Sequence, residues 1–461
     1  MRLTVIGCGY LGAVHAAAMA DLGHHVLGVE TDPARLALLA RGEAPFYEPG
    51  LDELLRRGAR TGRLRYTAAL DGAAARADVH FLAVGTPQSP SGRGADLSHL
   101  WRAVDSLAAV LPRCVHPDGM PLVVGKSTVP VGTAQQVADR LAGRALVVWN
   151  PEFLRESMAV ADTLSPDRIV YGLPTEPARA ERARAILDEV YAPILAAGTP
   201  RLTMDYQTAE LVKTAANAFL ATKISFINAM SALCAATGAD VTVLADAIGR
   251  DARIGPHFLR AGLGFGGGCL PKDLRGLEQS AAELGANGLA SFLSRVDSIN
   301  RGQRDRVTQM ALEALGPNPA GRAVTILGIT FKPDSDDLRD SPVLEVALRL
   351  ADAGAVVTVH DPRGLEGLSR LHPVLRAQPD ALRALEGAEL VILGTEWKEL
   401  TDLDPRAAAA RVARPVLIDA RNALAPSRWT AAGWDYHGIG RPSELRWSAP
   451  RRRALAGTMV G

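Results

Sequence analysis

The sequence predicts an α/β protein in which two doubly wound parallel sheets are joined by a long central helix. Three observations carry this expectation. Short apolar runs alternate with helical patterns through the first third of the chain. An Ala- and Leu-rich helical pattern then covers residues 207–237 without a Pro or Gly. Strand–helix alternation resumes near residue 322.

The first unit's candidate strands are LTVIG (3–7), HVLGVE (25–30), VHFLAVG (79–85), PLVVGKST (121–128), ALVVWN (145–150) and RIVYG (168–172). The central pattern stops at Gly238. A straight helix of that length spans about 45 Å. Such a helix is expected to link two domains and to supply a subunit interface, the plainer alternative being an ordinary buried helix. The second unit offers AVTILGI (323–329), VVTVHD (356–361), LVILGT (390–395) and VLIDA (416–420). The expected divisions are 1–200, 201–300 and 310–445, followed by a solvated basic tail over 446–461.

With 461 residues the chain has room for two or three domains. Its 48% hydrophobic and 22% charged residues are ordinary for a soluble globular enzyme. The net charge of +1 gives no basic surplus for nucleic acid, although a local Arg/Lys cluster can still bind a small anion. Cys8, Cys114, Cys234 and Cys269 form no CxxC pair, which argues against a disulfide framework or a zinc site. A reducing cytoplasm and no metal are expected. The N-terminal apolar run breaks at glycines too early for a signal peptide. No charge-free stretch is long enough to cross a membrane.

Gly7, Gly9 and Gly12 form G-x-G-x-x-G between a candidate strand and a helix, the Rossmann-like context of a dinucleotide fingerprint. Gly7 permits the turn, Gly9 lets the backbone approach a pyrophosphate, and Gly12 allows close packing of helix on strand. Glu30 ends the next strand, where a carboxylate holds ribose hydroxyls and repels a 2′-phosphate. NAD is therefore expected over NADP. Arg35 complicates this preference, because a nearby Arg can accommodate that phosphate. The loops VGTPQ (84–88), STVPVGT (127–133) and NPEFLRES (150–157) follow strand ends, where ligands of open α/β sheets bind.

On the central pattern, Lys213 and Asn217 are four residues apart and share a helix face. Together they offer a cation and an amide donor to one oxygen atom. In FGGGCLPKD (265–273), three glycines lead into Cys269, with Lys272 and Asp273 following. A cysteine at such a loop end, beside a lysine and at a helix start, is expected to have a lowered thiol pKa and to act as a nucleophile. The other three cysteines read as buried structural residues. A nicotinamide and a nucleophilic thiol suit aldehyde oxidation. The thiolate adds to the carbonyl, the hemithioacetal loses hydride, and water releases the acid from a thioester. Lys213 and Asn217 would stabilise the oxyanion, with Asp273 or Glu152 as base or as the group that positions water.

The motifs GCGYLG (7–12), VGTP (84–87), STVPVGT (127–133), NPEFLRES (150–157), LVKTAANAFLATKISFINAMSALC (211–234), DARIGPHFL (251–259), GFGGGCLPKD (264–273) and GITFKPDSDDLRDSP (328–342) occur in this order. On these the chain resembles the nucleotide-sugar dehydrogenases up to about Arg441. The resemblance implies a four-electron oxidation of a sugar CH2OH to a carboxylate with two NAD, most similar to the branch acting on UDP-glucose. GDP-mannose or a UDP-N-acetylhexosamine is the alternative substrate. It implies an NAD-binding first domain and a UDP-sugar-binding last domain.

The resemblance also implies roles for single residues. Cys269 is the nucleophile, Lys213, Asn217 and Asp273 complete the catalytic core, and Glu152 and Thr128 surround the catalytic water. Cofactor contacts fall on Gly7, Gly9, Tyr10, Leu11, Gly12, Glu30, Arg35, Thr86, Thr128, Glu156 and Arg339. Substrate contacts fall on Glu152, Phe153, Leu154, Arg155, Glu156, Lys213, Asn217, Arg260, Phe265, Gly266, Phe331, Lys332 and Arg441. Arg253 matches an arginine that reaches the neighbouring active site, which implies a homodimer. Two positions depart from the family pattern: Ala229, where many bacterial relatives carry Glu, and Gly268, where Ser is common.

Overall fold

The first sheet begins with β1 (Arg2–Ile6) and β2 (His25–Val29), which pair in parallel with Leu3 beside Val26. The helix Tyr10–Asp21 connects them and buries residues 12–20, a run made mostly of alanine that can lie flat on the sheet. The computed structural model describes residues 1–70, 72, 76–89, 94–112 and 119–442. Cys114 and the tail over 446–461 lie outside them.

The sheet continues with β3 (Leu64–Thr67), β4 (Val79–Leu82), β5 (Leu122–Gly125), β6 (Leu146–Trp149), β7 (Ile169–Leu173) and β8 (Arg201–Asp205). Its order is β3-β2-β1-β4-β5-β6-β7-β8. All pairings are parallel except β6 with β7, which meet antiparallel at Trp149 and Gly172. Trp149 occupies the volume above Gly125, where a Cβ would sit 2.1 Å from its ring. The order reverses between β1 and β4, which opens a crevice at their carboxyl ends.

The central helix runs Tyr206–Thr237, about 48 Å at about 1.5 Å per residue. Asp205 caps it by accepting from the Thr208 amide at 2.7 Å, and Gly238 ends it in the left-handed region at φ 77°. One side buries Glu210, Lys213, Asn217, Ser225, Asn228 and Ser231, while Phe219, Phe226 and Leu233 are exposed on the other. Among the described residues it is the helix long and apolar enough to cross a membrane. Its buried side packs instead on helices Leu270–Glu283 and Asn287–Leu315 and on β7.

The helix Asn287–Leu315 was not anticipated, because its charged residues interrupt the apolar pattern. Its last two turns bury Val307, Ala311, Ala314 and Leu315 in the core of the second unit. That unit is a parallel sheet of β9 (Ala323–Leu327), β10 (Val356–His360), β11 (Arg376–Ala377), β12 (Leu390–Leu393), β13 (Val416–Asp419) and β14 (Asp435–Gly438). Its order, β11-β10-β9-β12-β13-β14, reverses between β9 and β12.

All ten strands expected from the sequence are present, most of them ending before the small or polar residues that close each run. VHFLAVG, for example, is a strand only over Val79–Leu82. The four strands not expected are β3, β8, β11 and β14. They occupy the sheet edges: β8 and β11 bury no residue, and β3 and β14 are four-residue runs in which polar residues interrupt the apolar signal.

Candidate active site

The G-x-G-x-x-G turn is built by close contacts. Gly7 has φ +86°, and a Cβ there would lie 2.8 Å from Val84 Cα. A Cβ on Gly12 would lie 1.8 Å from the Gly7 carbonyl oxygen. At Gly9 the opposite holds: no atom lies within 4 Å of that position. The open space stands at the N-terminus of helix Tyr10–Asp21, whose free N–H groups favour a phosphate. This cradle fits a dinucleotide. The Tyr10 ring lies 4.6 Å from that of Phe46, tilted by 35°, and its hydroxyl bonds Glu48, while Leu11 packs on the core, so both offer the cradle their main chain.

Glu30 is buried at the end of β2 and accepts from the amides of Cys8 (3.1 Å) and Asp32 (2.9 Å) and from Arg35 Nη1 (3.1 Å). A carboxylate has about four lone-pair sites, so room is left for a ribose hydroxyl. Arg35 pairs with Glu30, whose carboxylate would repel a 2′-phosphate. Thr86 Oγ1 donates to the Thr128 carbonyl at 2.8 Å and Ser127 Oγ to the Val84 carbonyl at 2.7 Å, tying the loops after β4 and β5 together.

The catalytic candidates converge across three elements. Lys213 Nζ lies 2.9 Å from Glu152 Oε1, and Glu152 Oε2 accepts from the Leu154 amide at 2.6 Å. Asn217 Nδ2 donates to Asp273 Oδ2 at 2.6 Å. Cys269 is the N-cap residue of helix Leu270–Glu283; its carbonyl accepts from the Asp273 amide at 2.9 Å, which returns that carboxylate to the cysteine's side of the helix. Lys213, Asn217 and Asp273 are buried while Cys269 is open to solvent. A cavity of about 30 Å³ lies between Thr128, Thr214, Lys272 and Asp273, room for one water molecule.

The Lys272 ammonium is 2.8 Å from Asp273 Oδ1 and pairs with that carboxylate. One expectation about the thiol is corrected: its pKa is not lowered. The surrounding protein first, then Glu152, pushes it up to about 12; Lys213 opposes, and Asp273 and Glu156 add to the rise. Because Cys269 is open to water, dehydration is the weaker warrant, and the three carboxylates fix the upward direction. Burial works against the Lys213 ammonium, but Glu152, Asp273 and Cys269 outweigh it and hold the pKa above the usual lysine value.

The glycines before Cys269 admit the second unit's loop. A Cβ on Gly266 would lie 2.3 Å from the Asp340 carbonyl, one on Gly267 2.7 Å from the Phe331 ring, and one on Gly268 2.6 Å from the Arg339 guanidinium. Gly268 thus makes room for Arg339 where a serine would meet it. The same loop reaches Glu156. Lys332 donates to its carbonyl, Ser335 Oγ lies 3.4 Å from Oε2, and Arg339 Nη2 lies 3.4 Å from Oε1. Burial and Asp337 push the Glu156 carboxyl up to about 7 against Arg339 and Lys332. Phe153 lies under the Arg168 guanidinium at 3.9 Å and 5.9 Å from Lys213 Nζ. Leu154 packs on the first core, and the Phe265 amide donates to Asn300 Oδ1 at 2.8 Å.

Four arginines stand apart from this cluster. Arg155 is exposed and held by Asp162 at 2.6 Å, so its charge is engaged outside the catalytic group. The Arg253 side chain is 89% exposed and pairs with Asp251. Arg260 lies 3.7 Å from Glu396, and Arg441 Nε donates to Asp240 at 3.2 Å. Sequence reasoning missed Lys126, Glu210 and Arg421. Buried Lys126 donates to Asn150 Oδ1 at 2.9 Å, and burial lowers its pKa to about 8 against the pull of Glu152. Glu210 accepts from the amides of Gly132 (2.7 Å) and Ala134 (2.6 Å), pinning the Thr128 loop to the central helix. Arg421 donates to the carbonyls of Gly264 (3.2 Å) and Phe331 (3.1 Å). The only signal was for Lys126, as a charge inside an otherwise apolar strand end.

Residues 1–195 match the NAD binding domain of the UDP-glucose/GDP-mannose dehydrogenase family, 207–302 its central domain and 325–426 its UDP binding domain. The chain is 41% identical to the UDP-glucose 6-dehydrogenase of Pseudomonas aeruginosa, over 96% of this chain and 98% of that one. It is 39% identical to the UDP-glucose 6-dehydrogenase of Rhizobium meliloti, over 96% and 100%. Its structure is similar to that of a UDP-glucose dehydrogenase from the hyperthermophilic archaeon Pyrobaculum islandicum, with TM-score 0.85 and 38% identity over 95% of this chain and 98% of that one.

Proposed function

Because this chain belongs to the UDP-glucose/GDP-mannose dehydrogenase family, we propose that it oxidises UDP-glucose to UDP-glucuronate, consuming two NAD and one water. The observation that carries this reading is the convergence of Lys213, Asn217, Asp273 and Glu152 around one solvent-open thiol, Cys269. NAD, when bound, accepts a hydride at each of the two oxidations. The cradle of Gly7, Gly9 and Gly12 holds its pyrophosphate and Glu30 its ribose, with Arg35, Thr86, Thr128, Glu156 and Arg339 completing the site.

The chain's own groups do the rest. Lys213 and Asn217 donate to the sugar O6, first as an alcohol and then as an oxyanion. Cys269 adds to the C6 aldehyde to form a thiohemiacetal, and after the second oxidation the C6 carbon is a thioester. A thiol held above its ordinary pKa by the surrounding carboxylates is protonated at neutral pH, so its proton must leave as sulfur attacks. Glu152 and Asp273 are the adjacent acceptors. Water held among Glu152, Thr128 and Asp273 then cleaves the thioester, returning the thiol and releasing the carboxylate.

The first unit, 1–200, carries the cofactor, and 310–445 carries the nucleotide through Phe331, Lys332 and Arg441, with Arg260, Phe265 and Gly266 facing it from the central region. A homodimer in which Arg253 enters the neighbouring site is supported by the exposed Phe219, Phe226 and Leu233 along the central helix and by the exposed Arg253. An open thiol that must stay reduced suits the cytoplasm.

An NADH assay across UDP- and GDP-sugars tests the reading. Two NADH per UDP-glucose are expected. One NADH per sugar would overturn the thioester route. Turnover confined to GDP-mannose or a UDP-N-acetylhexosamine would overturn the substrate.

A further inference from the structure

The loop FYEPG (46–50) lies outside every motif assigned above, yet its Glu48 is a buried carboxylate. It joins three segments. Tyr10, the first residue of the cofactor helix, donates its hydroxyl to Oε2. Ser157, at the end of NPEFLRES, donates its amide to the same oxygen at 2.8 Å and to the Tyr10 hydroxyl at 3.0 Å. Ala159 and Val160 donate their amides to Oε1 at 2.8 and 3.4 Å, so Glu48 also caps the short helix Ala159–Leu164. Burial and Glu48 keep the Tyr10 phenol protonated and therefore a donor.

Ser157 has φ 67°, a left-handed conformation that is strained for a non-glycine residue. Its amide donates into the Glu48–Tyr10 pair, and its Oγ is 3.3 Å from the Pro333 carbonyl. The kink sits one residue after Glu156, whose carboxyl meets Arg339 and Ser335 and bears on the Cys269 thiol. The neighbouring Tyr47 amide donates to Asp336 at 3.1 Å, and its ring lies 4.5 Å under Arg363, so the same loop touches the second unit.

We propose that Glu48 is a positioning residue: by holding Tyr10 and the Ser157 kink on one carboxylate, it fixes Glu156 against Arg339 and Ser335 and sets the sugar loop in register with the cofactor helix. It touches no reacting atom and acts through Tyr10 and Ser157. The proposal rests on the sugar-nucleotide oxidation proposed above.

Glu48→Gln tests it, since an amide keeps the shape but offers one oxygen where two are used. Tyr10→Phe and the double variant accompany it. For Glu48→Gln we expect kcat with UDP-glucose to fall about 10- to 100-fold, the effect of a small misplacement of catalytic groups, with NAD affinity within about threefold of wild type. The double variant should lose no more than Glu48→Gln alone, because both changes break one network. A second readout needs no sugar: the rate of Cys269 alkylation, followed by mass spectrometry, should change at least threefold in Glu48→Gln as Glu156 moves. If wild type does not oxidise UDP-glucose, the substrate reading fails and the alkylation rate decides alone. Unchanged kcat and alkylation would overturn the positioning role. So would equal losses of melting temperature, NAD affinity and kcat, which mark a merely structural residue. If Glu48→Gln does not fold, Tyr10→Phe must show the same alkylation change, and a wild-type rate there overturns the proposal.

Discussion

Lys213 Nζ and Glu152 Oε1 lie 2.9 Å apart with both side chains mostly buried, and the two charges act on the Cys269 thiol in opposite directions. Glu152 raises its pKa and Lys213 lowers it. Alkylation follows the thiolate fraction, and one pKa unit is about tenfold in that fraction below the pKa. Glu152→Gln should therefore speed alkylation of Cys269 at pH 8 by about 3- to 10-fold. Lys213→Met should slow it by a similar factor. Equal rates in the two variants would show that the ion pair does not govern the thiol.

Cys269→Ser should lose overall turnover by at least about 10³-fold, because an alcohol is a far weaker nucleophile than a thiolate at the aldehyde stage. Steady-state NADH production measures this. Normal two-NADH turnover in the variant would remove Cys269 from the nucleophilic role.

Glu156 gives a pH signature. Its folded pKa of about 7 lies above the ordinary 4.5, so the folded state favours the protonated form. The stabilisation is complete below pH 4.5 and is lost as pH rises to 7. Gln mimics the protonated carboxyl. Glu156→Gln should then melt above wild type at pH 8, with the gap narrowing from pH 7 downward and closing near pH 4.5. A gap independent of pH would refute the shift.

Arg253 tests the shared site. If it acts on the neighbouring subunit, Arg253→Ala and Cys269→Ser variants, each nearly inactive, should complement when mixed and re-assembled. Random pairing makes half the dimers mixed, each with one intact site, so about a quarter of wild-type activity should return. No recovery, with mixed dimers verified by mass, would put Arg253 outside its neighbour's chemistry.

Much of this was legible because it rests on local pattern. The G-x-G-x-x-G turn needs small residues at fixed spacing, and Gly7 and Gly12 are where a Cβ would collide. Lys213 and Asn217 share a face by helical period alone, and the structure buries both. Edge strands were invisible because they are short and either exposed or interrupted by polar residues, and the helix Asn287–Leu315 because charges broke its apolar pattern.

Two doubly wound sheets, the central helix, the dinucleotide turn and the candidacy of Cys269 can be read from the chain alone, since each follows from periodicity or spacing within a short segment. What surrounds the thiol depends on how distant segments pack. Three carboxylates from two separate segments, Glu152, Glu156 and Asp273, bear on it, so its pKa rises where local sequence predicted a fall. Lys272, adjacent in sequence, spends its charge on Asp273, while Lys213, over fifty residues away, supplies the cation at the thiol. Electrostatic interaction depends on distance through space, and that distance is set by packing between segments rather than by order along the chain.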